Sequence, residues 1–377
     1  MYITNFRSHT VSVVDDLTDK LLTEIKVGRF PLSVSVNLST VYVANSRSNS
    51  ISVIDTSTNE VVKEIPVGSQ PVAVLVDSTE KGIDSLAFVA NLESNSVSVI
   101  DAARNEVYSP ALSVGKGPSD LAVNEVINRL YVANRDSDSV SVIDYFISNE
   151  GRFKKSTIAN IPVQKYPSSI ALNPLTNRIY VANYYPNTIS VIDGASNTVV
   201  DTISVGSNPS SIAINPSKNK IYVANYGSNT VSVIDGATDK LLVNIGVGSF
   251  PHRVYYNPKT QIISVLNVGS KTIYQIKDNS LLAGITFNVK PSNSGQLDCN
   301  GTAISDVDYQ RYTAGSDVIC KASPSSDYVF RSWSVNLPLK SGTSPVTSFK
   351  TSDYGNVTTN FQVPVQINLP MEQLYFW

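Results

Sequence analysis

The feature that most restricts the fold of this chain is a segment, VYVANSRSNSISVID (Val41–Asp55), that returns along the sequence with few changes. The Asn that ends each YVAN-like element marks the copies, at Asn5, Asn45, Asn91, Asn134, Asn183, Asn225 and Asn267. Successive markers are 40 to 49 residues apart. A repeat of this length is typical of a protein built from stacked copies of one structural unit.

Each copy contains four short runs with the alternation of a β-strand. In the copy around Asp235 these runs are SSIAIN, KIYVAN, TVSVID and KLLVNIGV, separated by the turn sequences NPSK, YGSN and GATD. Loops this short force neighbouring strands to be antiparallel, so each copy is predicted to be a four-stranded meander. One such sheet cannot bury both faces, but seven in a ring can. We therefore predict an all-β fold: a seven-bladed β-propeller of four-stranded antiparallel blades over residues 1–285.

The same residues carry a resemblance to a known family. The pattern YVAN, then SNTVSVID, then VGxxP is similar to the repeat of YVTN-type β-propellers, which occur in archaeal and bacterial surface-layer-like proteins, and the similarity covers roughly residues 1–285. The WD and GH dipeptides that are typical of WD40 propellers are absent from the sequence. The resemblance implies a non-enzymatic protein of the cell surface.

The first copy lacks the run that would form its innermost strand, because YITN follows Met1 at once. Two explanations are open. The favoured one is that the missing strand belongs to residues that precede Met1 in a longer protein. The other is that a C-terminal strand completes the ring, for which the candidate is PVQIN (Pro364–Asn368), since it resembles the inner runs SIAIN and RVYYN. Residues 364–377 are thus expected to be either a tail or a ring-closing strand.

The repeat is lost near residue 286, and residues 286–363 are predicted to form a small separate β module. The stretch YTAGSDVICKASPSSDYVFRSWS, followed by VTTNF, resembles the B-repeat-like modules of internalin-type surface proteins. The positions that match are Tyr312, Gly315, Ala322, Pro324, Tyr328, Phe330, Trp333 and Phe361. The large aromatic residues among them are expected to form the core that so small a module needs.

Both cysteines of the chain, Cys299 and Cys320, fall in this module with no His nearby. Two thiols are too few for a structural zinc site, so a disulfide is expected, which would imply an oxidising, extracytoplasmic setting. Two free buried thiols are the alternative. Sequons at Asn37, Asn300 and Asn356 would allow N-glycosylation of an exported chain, although a sequence rich in Asn, Ser and Thr also acquires sequons by chance.

Residues suited to catalysis are few. The chain has two histidines: His9 takes a loop slot that is Asn in most copies, which predicts a capping role, and His252 follows a VGxxP linker without a second His for a metal site. The Asp that ends the third run of six copies is expected to cap the following turn, as in DTST and DGAS. The repeated YVAN asparagines are expected to satisfy backbone groups. No catalytic residue, metal site or cofactor is predicted.

Functional information is expected where the copies differ, in the loop after each repeated Asn and in the VGxxP linkers, which a meander places at one end of the ring. These slots hold six basic residues against the acidic Glu93 and Asp136: Arg7, Arg29, Arg47, Lys116, Arg135 and Lys165, with His252 and Arg253 just beyond. They also hold seven aromatic residues: Phe6, Phe30, Tyr166, Tyr184, Tyr185, Tyr226 and Phe250. The last five come from adjoining copies and are expected to form one patch. The alternative is that the rings plug the narrow end of the propeller.

An aromatic, mildly basic face suits a glycan, an envelope polymer or another surface protein. The net charge of −2 predicts no general attraction to nucleic acid, and no apolar run approaches the ~20 residues that span a bilayer. We expect a binding or scaffolding protein outside the cytoplasm, on the cell surface or secreted, with no signal peptide recognised in this sequence. The alternatives are a propeller enzyme of the lyase, lactonase or dehydrogenase-subunit type, and a DNA-binding periplasmic propeller.

Overall fold

The computed structural model describes residues 1–15, 18, 20–37, 39–77, 85–148, 150 and 152–277, and beyond them seven short strands. Seven antiparallel sheets follow one another along residues 2–277, one for each copy of the repeat. They are the blades of a seven-bladed β-propeller, as the sequence predicts.

The strand bounds follow the repeat closely. The first blade contains β1 (Tyr2–Asn5), β2 (Thr10–Val14) and β3 (Leu21–Lys26). The second and third blades contain β4 (Pro31–Asn37), β5 (Thr40–Asn45), β6 (Ser50–Asp55), β7 (Glu60–Pro66), β8 (Pro71–Asp77), β9 (Leu86–Asn91), β10 (Ser96–Asp101) and β11 (Glu106–Ser113).

The fourth and fifth blades contain β12 (Pro118–Asn124), β13 (Arg129–Asn134), β14 (Ser139–Ile147), β15 (Phe153–Pro162), β16 (Pro167–Asn173), β17 (Arg178–Asn183), β18 (Thr188–Asp193) and β19 (Thr198–Ser204). The sixth and seventh contain β20 (Pro209–Asn215), β21 (Lys220–Asn225), β22 (Thr230–Asp235), β23 (Lys240–Gly246), β24 (Pro251–Asn257), β25 (Ile262–Asn267) and β26 (Thr272–Lys277). Two short 3₁₀ helices lie at Arg135–Ser137 and Pro216–Lys218.

Within each sheet the strands pair in chain order, so every blade is a meander. The first strands of successive complete blades contact one another and therefore form the inner wall of the ring. Among the described residues, the first blade starts at the second strand of the repeat and the seventh stops after the third. The inner strand of the first blade is thus missing from the described part of the chain, in agreement with the sequence.

The cores of the protein lie between blades. Valine, isoleucine and tyrosine side chains from the second and third strands of one blade pack against the first three strands of the next, and six such cores join the seven blades in order. In the core between the fifth and sixth blades, Tyr180, Ile189 and Ile221 are 0% exposed. Full burial of one such side chain stabilises the fold by ~1.5–3 kcal/mol, so repeated alternation is sufficient to hold the ring together.

The turn between the third and fourth strands is capped as predicted in most blades. Asp193 Oδ1 accepts the backbone N–H of Ala195 at 3.1 Å and that of Ser196 at 2.8 Å. Hydrogen bonds from Ser196 are the main cause of the lowered pKa of the Asp193 carboxyl group. Asp144 differs, because its carboxylate instead pairs with the guanidinium of Arg129, with Nε and Oδ1 2.6 Å apart.

At the same end of the blades, a second set of contacts links each blade to its neighbour. The hydroxyl of Tyr42 in the second blade donates to Ala102 O at 3.1 Å and to Asn105 Oδ1 at 2.8 Å in the third. The hydroxyl of Tyr180 in the fifth blade donates to Asp239 Oδ1 in the sixth at 2.6 Å. Burial raises the pKa of Tyr42 to about 12, so its hydroxyl stays a donor at neutral pH.

The strands after residue 277 pair with one another and with no blade strand that the structure describes. Their bounds are β27 (Thr286–Asn288), β28 (Gly295–Cys299), β29 (Thr302–Ile304), β30 (Asp308–Tyr309), β31 (Asp317–Pro324), β32 (Val346–Lys350) and β33 (Thr359–Asn360). Cys299 and Cys320 are register partners on β28 and β31, and the disulfide between them stays a prediction. Of the module's matching positions, Ala322 and Pro324 lie in β31, whereas Tyr312, Gly315, Tyr328, Phe330, Trp333 and Phe361 lie outside the described residues, as do Asn300, Asn356 and residues 364–377. In the part of the chain that the structure describes, no helix is long and apolar enough to cross a membrane.

Candidate functional site

The variable loops and the linkers meet on one face of the ring, as the meander requires. Each linker lies along the loop between the second and third strands of the blade that it enters. Ser46 N donates to Phe30 O at 2.9 Å, and Arg47 N donates to Arg29 O at 3.1 Å. The first of these bonds recurs at the other five linkers, and the second recurs at four of them. We call the surface formed by these six linkers and seven loops the loop face.

The fourth and last residue of the loop caps the linker that leaves its blade. Asn229 Oδ1 accepts the backbone N–H of Phe250 at 2.8 Å, and Asn49, Asn95, Asp138 and Asn187 make the same bond in their blades. In the first blade, His9 Nδ1 accepts the N–H of Phe30 at 3.2 Å. The capping role predicted for His9 is therefore confirmed.

His9 has a positive φ of 60°, a conformation that Asn adopts with less strain than most residues. We expect His9→Asn to leave the stability unchanged or to raise it by up to about 1 kcal/mol, whereas His9→Ala should lower it by about 1 kcal/mol through loss of the cap. Thermal unfolding of both variants measures these effects. Equal destabilisation by Asn and Ala would contradict the capping role.

The buried YVAN asparagines hold this end of the blades together, but in most blades not as predicted. Asn225 Nδ2 donates to Thr230 Oγ1 at 3.1 Å and to Ser232 Oγ at 2.8 Å on the neighbouring strand, instead of binding backbone groups. The same pair of hydroxyls is present in the other blades up to the sixth. Asn183 does have backbone partners as predicted, because in its favoured amide orientation Nδ2 donates to Gln164 O at 3.2 Å and Oδ1 accepts the N–H of Ser190 at 3.2 Å. The glycine of the linker that enters the same blade packs directly on this amide: a Cβ on Gly206 would lie 2.6 Å from Asn225 Cγ.

Three tyrosines of the fifth blade form a contact cluster on the loop face. The ring of Tyr166, on the linker, lies 4.9 Å from that of Tyr185 and 5.8 Å from that of Tyr184, and the latter two rings are 5.5 Å apart. The side chain of Tyr185 is 62% exposed. The guanidinium of Arg135, from the fourth blade, lies 5.0 Å above the ring of Tyr166.

A second pair of rings continues this surface. Tyr226 in the sixth blade and Phe250 on the next linker are stacked, with ring centroids 5.0 Å apart, and Phe250 is 44% exposed. Asn208 joins the two groups, since its Nδ2 donates to Tyr184 O at 3.3 Å and its O accepts the N–H of Tyr226 at 2.9 Å. Burial, and next the hydroxyl of Tyr226, raise the pKa of Tyr184. We call these five residues, Tyr166, Tyr184, Tyr185, Tyr226 and Phe250, the aromatic patch. The sequence predicted their proximity.

A separate group of rings lies at the first linker. Phe6 and Phe30 meet edge to face at 4.6 Å, His9 is 5.1 Å from Phe30, and the guanidinium of Arg47 lies 5.6 Å above the Phe30 ring. Among the described residues, no ring contact joins Phe6, His9 or Phe30 to the aromatic patch. The seven aromatic residues predicted on this face therefore form two groups.

Three of the aromatic residues occupy strained backbone positions. The fourth residue of the linker has a positive φ in all six linkers, and it is Gln70, Gly117 and Asn208 in three of them. At the same position Phe30, Tyr166 and Phe250 have φ values of 55°, 61° and 53°. A bulky side chain in this region costs ~1–2 kcal/mol relative to glycine, and such strain is concentrated at functional sites.

The basic residues are spread around the loop face and do not form a single stripe. Arg29, Arg47, Lys116 and Lys165 are exposed, and Arg7 is half-buried. Arg135 is paired with its neighbour Asp136, with Nε and Oδ1 3.0 Å apart, so its charge is partly neutralised where it covers Tyr166. Lys165, next to Tyr166, is thus the exposed cation that the sequence places closest to the aromatic patch.

His252 and Arg253 lie at the start of β24, on the inner wall of the ring. Both side chains are half-buried, and burial with the charge of Arg253 lowers the pKa of His252, so the imidazole is neutral at pH 7. In the three preceding blades the slot of His252 holds a serine that bridges to the next blade. Ser210 Oγ, for example, bonds to Ala224 O in its own blade at 3.3 Å and to Pro251 O in the next at 3.0 Å. Sequence reasoning missed these bridges, although the recurring PS pair after three linkers was a signal.

Within the described ranges, no group of three or more His, Cys, Asp and Glu side chains is arranged to hold a metal ion. No family model matches the chain, and no curated protein matches it. Its fold is nevertheless common, since 1473 chains of known structure match it. One is the hydrazine synthase of Kuenenia stuttgartiensis, which is 21% identical, has a TM-score of 0.61, and is matched over 73% of this chain and 91% of its own. At this identity the likeness shows the propeller fold alone.

Proposed function

We propose that this chain is a non-enzymatic binding or scaffolding protein of the YVTN type, acting outside the cytoplasm, and that its loop face recognises an extended glycan or envelope polymer through the aromatic patch. The observation that carries the proposal is the combination of exposed, mutually packed rings with backbone strain at Tyr166 and Phe250. The linker has the same positive φ where this slot holds Gln70 or Asn208, so the backbone conformation does not require a ring, and a bulky residue is retained there at a cost to stability.

The shape of the patch suits a polymer better than a compact ligand. It extends over three adjoining blades, and its rings are packed edge to face or stacked instead of enclosing a cavity. Aromatic faces bind apolar sugar faces with little loss of side-chain entropy, and exposed cations such as Lys165 add attraction to acidic groups. Duplex DNA would require a continuous basic stripe, whereas the cations here are dispersed and one is paired.

Binding to a panel of neutral and anionic polysaccharides, titrated in salt, tests this function. We expect the triple variant Tyr184→Ala, Tyr185→Ala, Tyr226→Ala to weaken binding at least about tenfold, because each aromatic contact contributes about 0.5–1.5 kcal/mol and tenfold corresponds to 1.4 kcal/mol. A shallow dependence on salt is expected if stacking dominates.

The matched control is Phe146→Ala, which removes a ring that is 56% exposed in β14, well away from the loop face. This variant should bind as the unmodified protein does. Binding that survives the triple substitution, or a failure of the unmodified chain to bind any polymer of the panel, would contradict the proposal and favour a purely architectural role.

A further inference from the structure

Phe30 is the third strained aromatic residue of the loop face, and the function proposed above does not use it. Its φ of 55° is nearly the same as the 56° of Gln70 in the next linker, so the backbone does not require a ring at this slot. The ring of Phe6 meets that of Phe30 edge to face at 4.6 Å, and the ring of His9 lies 5.1 Å away. Backbone strain that is retained at a bulky residue is characteristic of functional sites.

Three segments of the chain are bonded together around Phe30. The backbone N–H of Phe30 donates to His9 Nδ1 of the first loop at 3.2 Å, and its carbonyl accepts the N–H of Ser46 in the second blade at 2.9 Å. Arg47 N donates to Arg29 O at 3.1 Å beside these bonds. The linker is thus fixed on both sides before any ligand arrives. We call Phe6, His9, Arg29, Phe30 and Arg47 the first-linker site.

The charge of these three segments is entirely positive. Their sequences, NFRSHT (5–10), VGRF (27–30) and NSRSNS (45–50), contain three arginines and neither Asp nor Glu. The side chains of Arg29 and Arg47 are exposed. Beside the aromatic patch, in contrast, Arg135 is paired with Asp136, with Nε and Oδ1 3.0 Å apart. The first-linker site is therefore a positively charged region of a chain whose net charge is −2.

The polar side chains of the first-linker site offer hydrogen-bond donors and no acceptor. The guanidinium of Arg47 lies 5.6 Å above the Phe30 ring, and a guanidinium held over a ring still has N–H groups for a further partner. Arg29 supplies a second guanidinium on the same linker. The ring of His9 accepts a bond at Nδ1, so its Nε2 carries the proton and is a donor. A ligand group that matches this set must supply several acceptor oxygens and negative charge.

We propose that the first-linker site binds a carboxylate-bearing sugar residue of an acidic polysaccharide. The proposal rests on the function proposed above, because it names the ligand class of the same loop face. The forked guanidinium groups of Arg29 and Arg47 match the two oxygens of a carboxylate, while the rings of Phe6 and Phe30 offer apolar surface to the sugar. A neutral glycan has no anionic group for the two arginines. The phosphates of a nucleic acid would require cations that continue as a stripe, and those of the loop face are dispersed.

Titration calorimetry of the full chain with polygalacturonate, and with the same polymer after methyl esterification of its carboxyl groups, tests the proposal. The unmodified protein is expected to bind the acidic form at least about tenfold more tightly than the ester. The double variant Arg29→Gln, Arg47→Gln should weaken binding of the acidic form at least about tenfold, because two charge-assisted contacts are lost. The same variant should leave binding of the ester unchanged, since the ester has no charge for the arginines to bind.

The matched control removes the same two charges elsewhere on the molecule. Lys154 and Lys155 are exposed near the start of β15, at the end of the blade remote from the loop face. The double variant Lys154→Gln, Lys155→Gln should therefore bind polygalacturonate as the unmodified protein does. This control distinguishes contact at the first-linker site from a general effect of net charge on the attraction of an anionic polymer.

The outcomes separate this proposal from the function on which it rests. Equal binding of the acidic and esterified polymers, or equal loss of binding in the two double variants, would overturn the assignment of the first-linker site. The proposed function would still stand if the aromatic-patch variant Tyr184→Ala, Tyr185→Ala, Tyr226→Ala lost binding of the ester. A failure of the unmodified chain to bind any polymer would overturn both. Duplex DNA that bound more tightly than polygalacturonate, and depended on Arg29 and Arg47, would replace the acidic sugar with a nucleic acid.

Discussion

Tyr180→Phe is expected to destabilise the propeller by about 2–3 kcal/mol. The hydroxyl that this change removes donates to Asp239 Oδ1 at 2.6 Å across the boundary between the fifth and sixth blades. Asp239 is 6% exposed in its side chain, and burial and its carboxylate raise the pKa of Tyr180. Removing one donor from a buried carboxylate leaves a desolvated acceptor, which costs more than the hydrogen bond contributes.

Chemical denaturation of a double-mutant cycle isolates this effect. In the Asp239→Asn background the acceptor is neutral, and Asn is favoured at the positive φ of 57° found here, so Tyr180→Phe should cost about 1 kcal/mol or less. Tyr185→Phe, which alters a tyrosine that is 62% exposed, serves as the control and should change the free energy of unfolding by less than about 0.5 kcal/mol. An equal cost of Tyr180→Phe in both backgrounds would contradict the role assigned to the buried carboxylate.

The roles of the repeated residues were predictable because a pattern that recurs in several copies is distinguishable from the residues that vary between copies. The blade number, the meander order, the Asp-capped turns and the cap at His9 all follow from patterns that recur in several copies. That the described part of the first blade starts at the second strand of the repeat was also visible, since the pattern is interrupted there. These features depend on neighbours within about fifty residues of sequence, where spacing determines contact.

Contacts between blades were not predictable from the same patterns. Tyr180 and Asp239 are separated by 59 residues, and only the packing of the fifth blade against the sixth shows that they meet. Asp144 belongs to the repeated series, yet an arginine that is peculiar to its blade replaces the turn bonds with an ion pair. Most of the YVAN asparagines bind hydroxyls of the neighbouring strand instead of the predicted backbone groups, and their spacing in the sequence does not distinguish the two kinds of partner.

The candidate site was predictable as a set of residues and not as a geometry. Spacing placed the five residues of the aromatic patch on one face. The pairing of Arg135 with Asp136, and the position of the Arg135 guanidinium over Tyr166, are visible only in the structure. The positive φ of Tyr166 was equally hidden, because the VGxxP pattern allows any residue there. The seven aromatic residues also divide into two groups, since Phe6 and Phe30 lie two blades or more away from Tyr166 in the order of the ring.

Tyr166→Asn is expected to separate stability from binding. Asn occupies the same linker slot in the next blade, as Asn208 with a φ of 55°, so the substitution relieves backbone strain that costs ~1–2 kcal/mol at a bulky residue. The loss of ring contacts with Tyr184 and Tyr185 offsets part of this gain. We expect the free energy of unfolding to stay constant or to rise by up to about 1 kcal/mol, while polymer binding weakens about tenfold.

Thermal unfolding and the polysaccharide titration, made on the same preparation, check both halves of this prediction. Asn208→Tyr is the reciprocal variant: it introduces strain on the neighbouring linker and is expected to lower stability by about 1–2 kcal/mol. The competing view, that the rings only plug the narrow end of the propeller, makes the opposite prediction for Tyr166→Asn, a clear loss of stability with no effect on a ligand. Selection for folding alone would favour Asn or Gly in this linker slot, because both adopt a positive φ with less strain. A tyrosine that lowers stability there and strengthens polymer binding would be expected from selection for recognition.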